Sequence, residues 1–119
     1  MYAERGLRQN ISRERNEEHL RFFVNQLFHI VLVAQKNKLP YDPWKHMCIG
    51  SDFDGFIRAI DTCRKISQLS NFGPQLGNNL KALAEKANIS LPRSAKEIAE
   101  DLLFNNAYEF IHNYFNSKP

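Results

Sequence analysis

The chain has 119 residues, which is enough for one domain with a modest core, and 43% of them are hydrophobic, as in ordinary globular proteins. Its net charge is +3, but the 16 basic residues are interspersed with 13 acidic ones, so no continuous basic face indicates nucleic-acid binding. The longest apolar run, LFHIVLVA, is too short to cross a bilayer. The charged N-terminal residues predict no secretory signal.

The chain contains two cysteines, Cys48 and Cys63, and they do not form a CxxC pair. The spacing therefore indicates neither a zinc knuckle nor a disulfide framework. Two free thiols are compatible with a reducing compartment such as the cytoplasm.

The first predicted element is one long helix over residues 12–36, a stretch without Pro or Gly. Apolar residues recur there at helical spacing, and others widen the stripe until the helix is apolar on most sides. Such a helix is awkward for a domain of this size. We therefore expect the chain to form a homo-oligomer through this helix, or to be one piece of a larger protein.

The second predicted element is a short buried strand over residues 46–50, HMCIG, which follows a break at Pro40 and Pro43. The loop SDFDG comes directly after it. A single strand cannot satisfy its own backbone groups, and the sequence shows no second strong strand. The missing strands must then belong to another chain or to a part of the protein that is not included in this sequence.

The remainder of the chain is predicted to be helical, with closing helices over residues 76–116 after a loop, SNFGPQLGNN. Ser94 and Glu97 have the spacing of a capping box that begins one of these helices. The last helix is predicted to bury an inner face made of Ala107, Phe110, Ile111, Tyr114 and Phe115.

The order of long helix, short strand, CIGSDFDG and closing helices with FNNAYEF resembles the C-terminal part of the membrane (renal) dipeptidase family, within the metal-dependent amidohydrolases. The resemblance covers about residues 12–116. It implies an α/β fold in which this chain is the C-terminal fragment of a (β/α)8 barrel, with residues 46–50 as the last barrel strand. The N-terminal barrel portion would be the missing partner.

The resemblance also implies the chemistry: hydrolysis of dipeptides or related amide bonds with two zinc ions in the whole enzyme. Asp52 matches the aspartate that receives a proton from the metal-bound water, and it is also a candidate secondary metal ligand. Asp54 and Gly55 are predicted to contact the substrate or to shape the loop. The family's metal-binding histidines have no counterpart at ligand spacing among His19, His29, His46 and His112, so this chain alone is predicted to hold no zinc and to be inactive.

Two other interpretations of SDFDG remain open. The motif is similar to the Asp-x-Asp-Gly loop of haloacid-dehalogenase-like phosphatases, in which the first aspartate attacks phosphate. That fold needs several βα units after the motif, and the 64 residues after Gly55 are helical in pattern. The third interpretation is a non-enzymatic helical protein that dimerises and uses SDFDG only as a turn.

Overall fold

The computed structural model describes residues 2–51, 60 and 62–117, with side chains from residue 13 onward. Within these ranges the chain is built from four α-helices. They are α1 (Tyr2–Lys36), α2 (Leu69–Lys86), α3 (Ala95–Glu100) and α4 (Asn106–Asn116). Short 3-10 turns lie at Pro43–Lys45 and Ile66–Gln68, and a π turn at Asp101–Asn105 joins α3 to α4.

The predicted strand over residues 46–50 is wrong, and with it the α/β class and the barrel fragment, because the described residues contain no strand. Residues 47–50 form an irregular extended segment instead. The Ile49 amide donates a hydrogen bond of 3.0 Å to the Leu102 carbonyl, which belongs to the π turn. A helix turn therefore provides the backbone partner that the strand interpretation assigned to a neighbouring strand.

Helix α1 is confirmed as a long helix that ends at Lys36, although it begins at Tyr2 rather than near Ser12. Its buried residues lie four, three or one apart along a single face, as an amphipathic helix requires. They are Leu20, Val24, Leu27, Phe28, Val31 and Ala34. The helix covers only part of its apolar surface in this way, because Phe22, Ile30, Leu32 and Val33 remain exposed.

Helix α2 runs through the segment that was predicted to be a loop, and Pro74 lies inside it. The loop prediction is wrong because Phe72, Leu76 and Leu80 follow one another at helical spacing and are all buried. Burial of each large apolar side chain contributes roughly 1.5–3 kcal/mol, whereas a proline inside a helix costs about 3 kcal/mol. Burial on both sides of Pro74 outweighs that cost.

Helix α3 begins with the predicted capping box, which is confirmed. The Glu97 amide donates to Ser94 Oγ at 3.2 Å, and the Ser94 amide donates to Glu97 Oε2 at 3.0 Å. The hydrogen bonds from Ser94 hold the pKa of the Glu97 carboxyl below its ordinary value. Ile98, Ala99 and Leu102 then pack against α1 and α2 in one core.

Helix α4 projects from this core, and the prediction of its inner face is wrong. Phe110, Ile111, Tyr114 and Phe115 are all exposed, whereas the polar Asn106 is buried. The amphipathic pattern is present, but from Tyr108 to Asn116 both the polar and the apolar side of the helix are exposed. None of the helices in the described part of the chain combines the length and apolar character needed to cross a membrane.

Helices α1 and α2 both end in a Schellman arrangement with a residue that is not glycine in the left-handed region. After α1, Lys38 has φ 52°, and the Leu39 amide donates to the Ala34 carbonyl at 3.2 Å. After α2, Asn88 has φ 53°, and the Ile89 amide donates to the Ala84 carbonyl at 2.8 Å. Asparagine adopts this conformation readily, but lysine does so at a cost.

Replacing Lys38 by glycine should therefore stabilise the chain. We expect Lys38→Gly to raise the free energy of unfolding by about 0.5–1 kcal/mol, because glycine has no Cβ to strain. The matched change Lys81→Gly, inside α2, should lower it by about 1 kcal/mol. Urea unfolding followed by circular dichroism measures both, and two changes of equal sign would contradict the assigned conformation of Lys38.

Candidate functional site

The predicted site residues Asp52, Asp54 and Gly55 lie outside the described residues, so their geometry stays a prediction. The structure describes where their loop attaches. On one side, Ile49 is hydrogen-bonded to Leu102, and Gly50 and Ser51 are exposed. On the other side, Thr62 Oγ1 donates to the Asn16 carbonyl of α1 at 2.9 Å. The described residues on the two sides of residues 52–59 are therefore bonded to the π turn before that stretch and to α1 after it.

The second attachment of the loop is completed by Cys63, which is buried in the core. The Cys63 amide donates to the Ile60 carbonyl at 3.1 Å, so a tight turn precedes it. Burial raises the pKa of the Cys63 thiol, which makes this cysteine a packing residue at neutral pH rather than a nucleophile. Cys48 lies exposed on the other side of the loop.

A cluster of four charged residues fixes the segment that leads into the loop. Arg93 Nη1 donates to Asp42 Oδ2 at 2.8 Å, and Arg93 Nη2 lies 2.9 Å from Asp101 Oδ2. Lys45 Nζ lies 3.1 Å from the same Asp101 oxygen. The ion pairs thus connect three segments: the 3-10 turn with Asp42 and Lys45, the residues before α3 with Arg93, and the π turn with Asp101.

The charges of this cluster stabilise one another. Burial acts to raise the pKa of the Asp101 carboxyl, but hydrogen bonds from Asn105 and Lys45, with the charges of Lys45 and Arg93, outweigh it and hold that pKa below its ordinary value. Burial acts to lower the pKa of Arg93, and the two aspartates outweigh it, so that this pKa is raised. The lowered pKa of Asp101 and the raised pKa of Arg93 both favour the charged forms, as in an ion-pair network rather than a proton-transfer site.

Asn105 and Asn106 connect the same segment to the π turn. The Asn106 amide nitrogen donates to the carbonyls of Trp44 and Met47, both at 2.7 Å. Asn105 Nδ2 donates to Asp101 Oδ1 at 3.1 Å. In the sequence, these asparagines belong to FNNAYEF, part of the resemblance described above. In the structure Asn106 holds residues 44–47 in place, and Asn105 bonds Asp101 within the π turn.

Trp44 completes the attachment from the apolar side. It is buried, and its ring meets the Phe28 ring edge to face with centroids 5.5 Å apart. Its amide donates to Asp42 Oδ1 at 3.0 Å, which caps the 3-10 turn. Sequence reasoning missed Asp42, Trp44 and Arg93 as positioning residues. The available signal was that each lies next to a proline at the beginning of a helical turn.

The described residues do not fit a zinc site. No three side chains of the His, Cys, Asp and Glu types come together within the described ranges. Asp42 and Asp101 are already neutralised by Arg93 and Lys45, and two of the histidines pack against aromatic rings. His46 lies against Tyr41, and His112 stacks on Tyr108. A catalytic zinc needs three protein ligands.

A groove of about 880 Å³ lies between α2 and α3 and was not predicted from the sequence. Small residues, among them Gly77, Ala84 and Ala99, line it, and charged side chains such as Lys81 and Glu100 surround them. No histidine, cysteine or aspartate is among the described residues that line it. The groove can take an apolar group, but it offers no catalytic set.

Comparison of the chain with known protein families, with curated protein sequences and with solved structures finds no match. The interpretation of the site therefore depends on the residues themselves.

The ion-pair network gives a prediction for stability and pH. Because the pKa of Asp101 is lower in the folded chain than in the unfolded one, its ionised form stabilises the fold at neutral pH. This contribution is lost as the pH falls below about 4. Asp101→Asn should cost about 2–3 kcal/mol of unfolding free energy at neutral pH.

The control is Glu100→Gln, since Glu100 lies on an exposed helix face with its Oε1 4.0 Å from Lys96 Nζ. This change should have almost no effect. Urea unfolding at pH 7 and at acidic pH measures both variants. A difference between wild type and Asp101→Asn that does not shrink in acid would contradict the role given to the carboxylate.

Proposed function

We propose that this chain is the C-terminal portion of a zinc-dependent dipeptidase-like amidohydrolase, that it contributes Asp52 to hydrolysis of a dipeptide or related amide bond, and that it is inactive alone. The observation that carries the proposal is the motif CIGSDFDG itself. Ile49, near its beginning, and Thr62, after its end, are hydrogen-bonded to the helical body.

The chemistry proposed for Asp52 is proton transfer. A carboxylate next to the scissile bond can accept the proton of the attacking water and deliver it to the amine that leaves. Asp54 and Gly55 are proposed to shape the loop, Asp54 through hydrogen bonds to nearby backbone amides and Gly55 through its backbone freedom.

The proposal assigns zinc binding to residues outside this chain, since the described residues bring no three ligands together. The missing portion of the protein is the partner that the proposal requires. Exposed side chains on α1, such as Phe22 and Ile30, support a partner of some kind, because large apolar groups in water are costly. The barrel is no part of the proposal, because the described residues are helical.

The second candidate function is a non-enzymatic helical protein that acts through association. The observation that favours it is the helical fold itself, with an amphipathic α4 whose apolar side is exposed. The phosphatase alternative receives no such support, because the described residues after residue 65 form helices and turns, without the βα units which that fold needs.

The proposal predicts that the purified 119-residue chain contains no stoichiometric zinc and does not hydrolyse dipeptides. Zinc requires at least three protein ligands, and the proposal places them elsewhere. Atomic emission analysis after dialysis against zinc chloride, with a dipeptide assay in parallel, measures both. One or more tightly bound zinc ions per chain would contradict the assignment of the histidines to packing and surface roles.

In the full-length gene product, Asp52→Asn should lower kcat by about 10²–10⁴ while zinc content stays unchanged, because the proton-transfer group is lost and the main ligands lie elsewhere. Asp54→Asn is the matched control and should keep most of the turnover. Normal turnover of a folded, zinc-loaded Asp52→Asn enzyme would contradict the proposal. A gene without in-frame coding sequence upstream of Met1 would also contradict the proposal, and it would favour the non-enzymatic helical protein that acts through association.

A further inference from the structure

Helix α4 is amphipathic, and it is attached to the body at its first turn. Asn106 is buried and bonded to residues 44 and 47, whereas Glu109 and Asn113, which follow at helical spacing on the same polar side, are exposed. The opposite side has six large exposed side chains, which we call the α4 apolar face. They are Phe104, Tyr108, Phe110, Ile111, Tyr114 and Phe115.

The α4 apolar face is continuous and ordered. At 3.6 residues per turn its members fall within an arc of about 160°. The Phe104 and Tyr108 rings stack with centroids 5.5 Å apart, and the Tyr114 and Phe115 rings meet edge to face at 5.4 Å. Rings that already support one another lose little side-chain entropy on binding.

The size of the face matches one side of a protein interface. A whole aromatic side chain presents about 200 Å², and the six side chains are between 54% and 78% exposed. The surface therefore amounts to roughly 800 Å², which is the area that each partner contributes to a standard complex. The largest apolar patch on an ordinary monomer is about 300–600 Å².

The charge of α4 restricts the occupant. From Asn106 to Asn116 the helix has one acidic residue, Glu109, and no lysine or arginine. Helices that lie on membranes have basic residues on their polar side, and nucleic-acid surfaces are basic as well. An uncharged aromatic face fits another apolar protein face, and a copy of itself brings no like charges to the centre of the contact.

We propose that the α4 apolar face is a dimerisation surface on which the same face of a second copy of this chain packs about a two-fold axis. Such a contact is isologous, so each residue of the face serves both copies. In an antiparallel pair, Phe104 of one copy lies near Phe115 of the other, and Ile111 lies near the axis. The inference concerns the 119-residue chain and does not depend on the proposed enzyme function.

The apolar residues exposed on α1 offer an alternative surface, and the experiment must separate the two. Phe22, Ile30, Leu32 and Val33 are each about half exposed, and Leu32 lies to one side of the other three. They form a smaller and less continuous face than that of α4. The candidate surfaces are therefore those of α4 and α1, and each has an exposed isoleucine, Ile111 or Ile30, that can be replaced by glutamate.

The test is sedimentation velocity of the purified chain from about 1 to about 100 μM. We expect a dimer for the wild type and for the matched control Asn113→Glu, which adds the same charge on the polar side of α4. Ile111→Glu places two carboxylates near the axis and should weaken dimerisation at least about ten-fold. Phe115→Glu, at the most exposed position, should act in the same direction. Ile30→Glu should leave the dimer intact.

Circular dichroism unfolding verifies that each variant is folded, and Phe115→Glu replaces Ile111→Glu if the latter is not. A wild-type monomer at about 100 μM would overturn the proposal. So would a dimer that Ile30→Glu dissociates and Ile111→Glu does not, or one that Asn113→Glu weakens as much as Ile111→Glu. A monomer that binds phosphatidylcholine–phosphatidylserine vesicles through α4 would assign the face to membranes instead.

Discussion

The contact of Asp101 with Arg93 and Lys45 is the constraint on which the rest of the structure depends. It joins three segments that are distant in sequence: the 3-10 turn at Pro43–Lys45, the residues before α3, and the π turn. The first and last of these segments also bury an apolar side chain each, Trp44 and Leu102. Removing one partner of such a network leaves the others buried and unpaired, which costs more than the pair contributes.

The network also determines where the SDFDG loop begins. Asp42 and Lys45 lie on either side of Trp44. The same turn leads within a few residues to Met47, whose carbonyl accepts from Asn106, and to Ile49, whose amide donates to Leu102 in the π turn. The loop therefore starts from a position fixed by ion pairs, amide hydrogen bonds and one buried ring. The residues that lead into the loop are therefore held by Arg93 and by the π turn with the residue after it, rather than by a sheet.

Local signals were sufficient to predict some elements and not others. The end of α1 and the capping box at Ser94 depend on neighbouring residues, and both were predictable. HMCIG reads as a buried strand because it is short and apolar, but His46, Cys48 and Gly50 are exposed, and the Ile49 amide donates to the Leu102 carbonyl rather than to a neighbouring strand. Pro74 indicated a loop, but tertiary burial of Phe72 and Leu76 overrode it.

The candidate site was less predictable than the fold, because its residues meet only through tertiary structure. Nothing in the spacing of Asp42, Arg93 and Asp101 shows that they are in contact. The pattern of α4 identifies its two sides correctly, yet periodicity cannot say which side faces the body. Asn106 holds the first turn of α4 against the body, since its side-chain amide donates to two backbone carbonyls that no apolar side chain could satisfy.

The π turn at Asp101–Asn105 has a mechanical consequence. A five-residue turn is equivalent to one residue added to an α-helix, so it changes the angular phase of everything after it by about a quarter of a revolution. If these residues wound as a regular α-helix, Asn106 would rotate away from Trp44 and Met47, and the aromatic side of α4 would point in a new direction. The π turn therefore determines both the position of the segment that leads into the SDFDG loop and the orientation of α4.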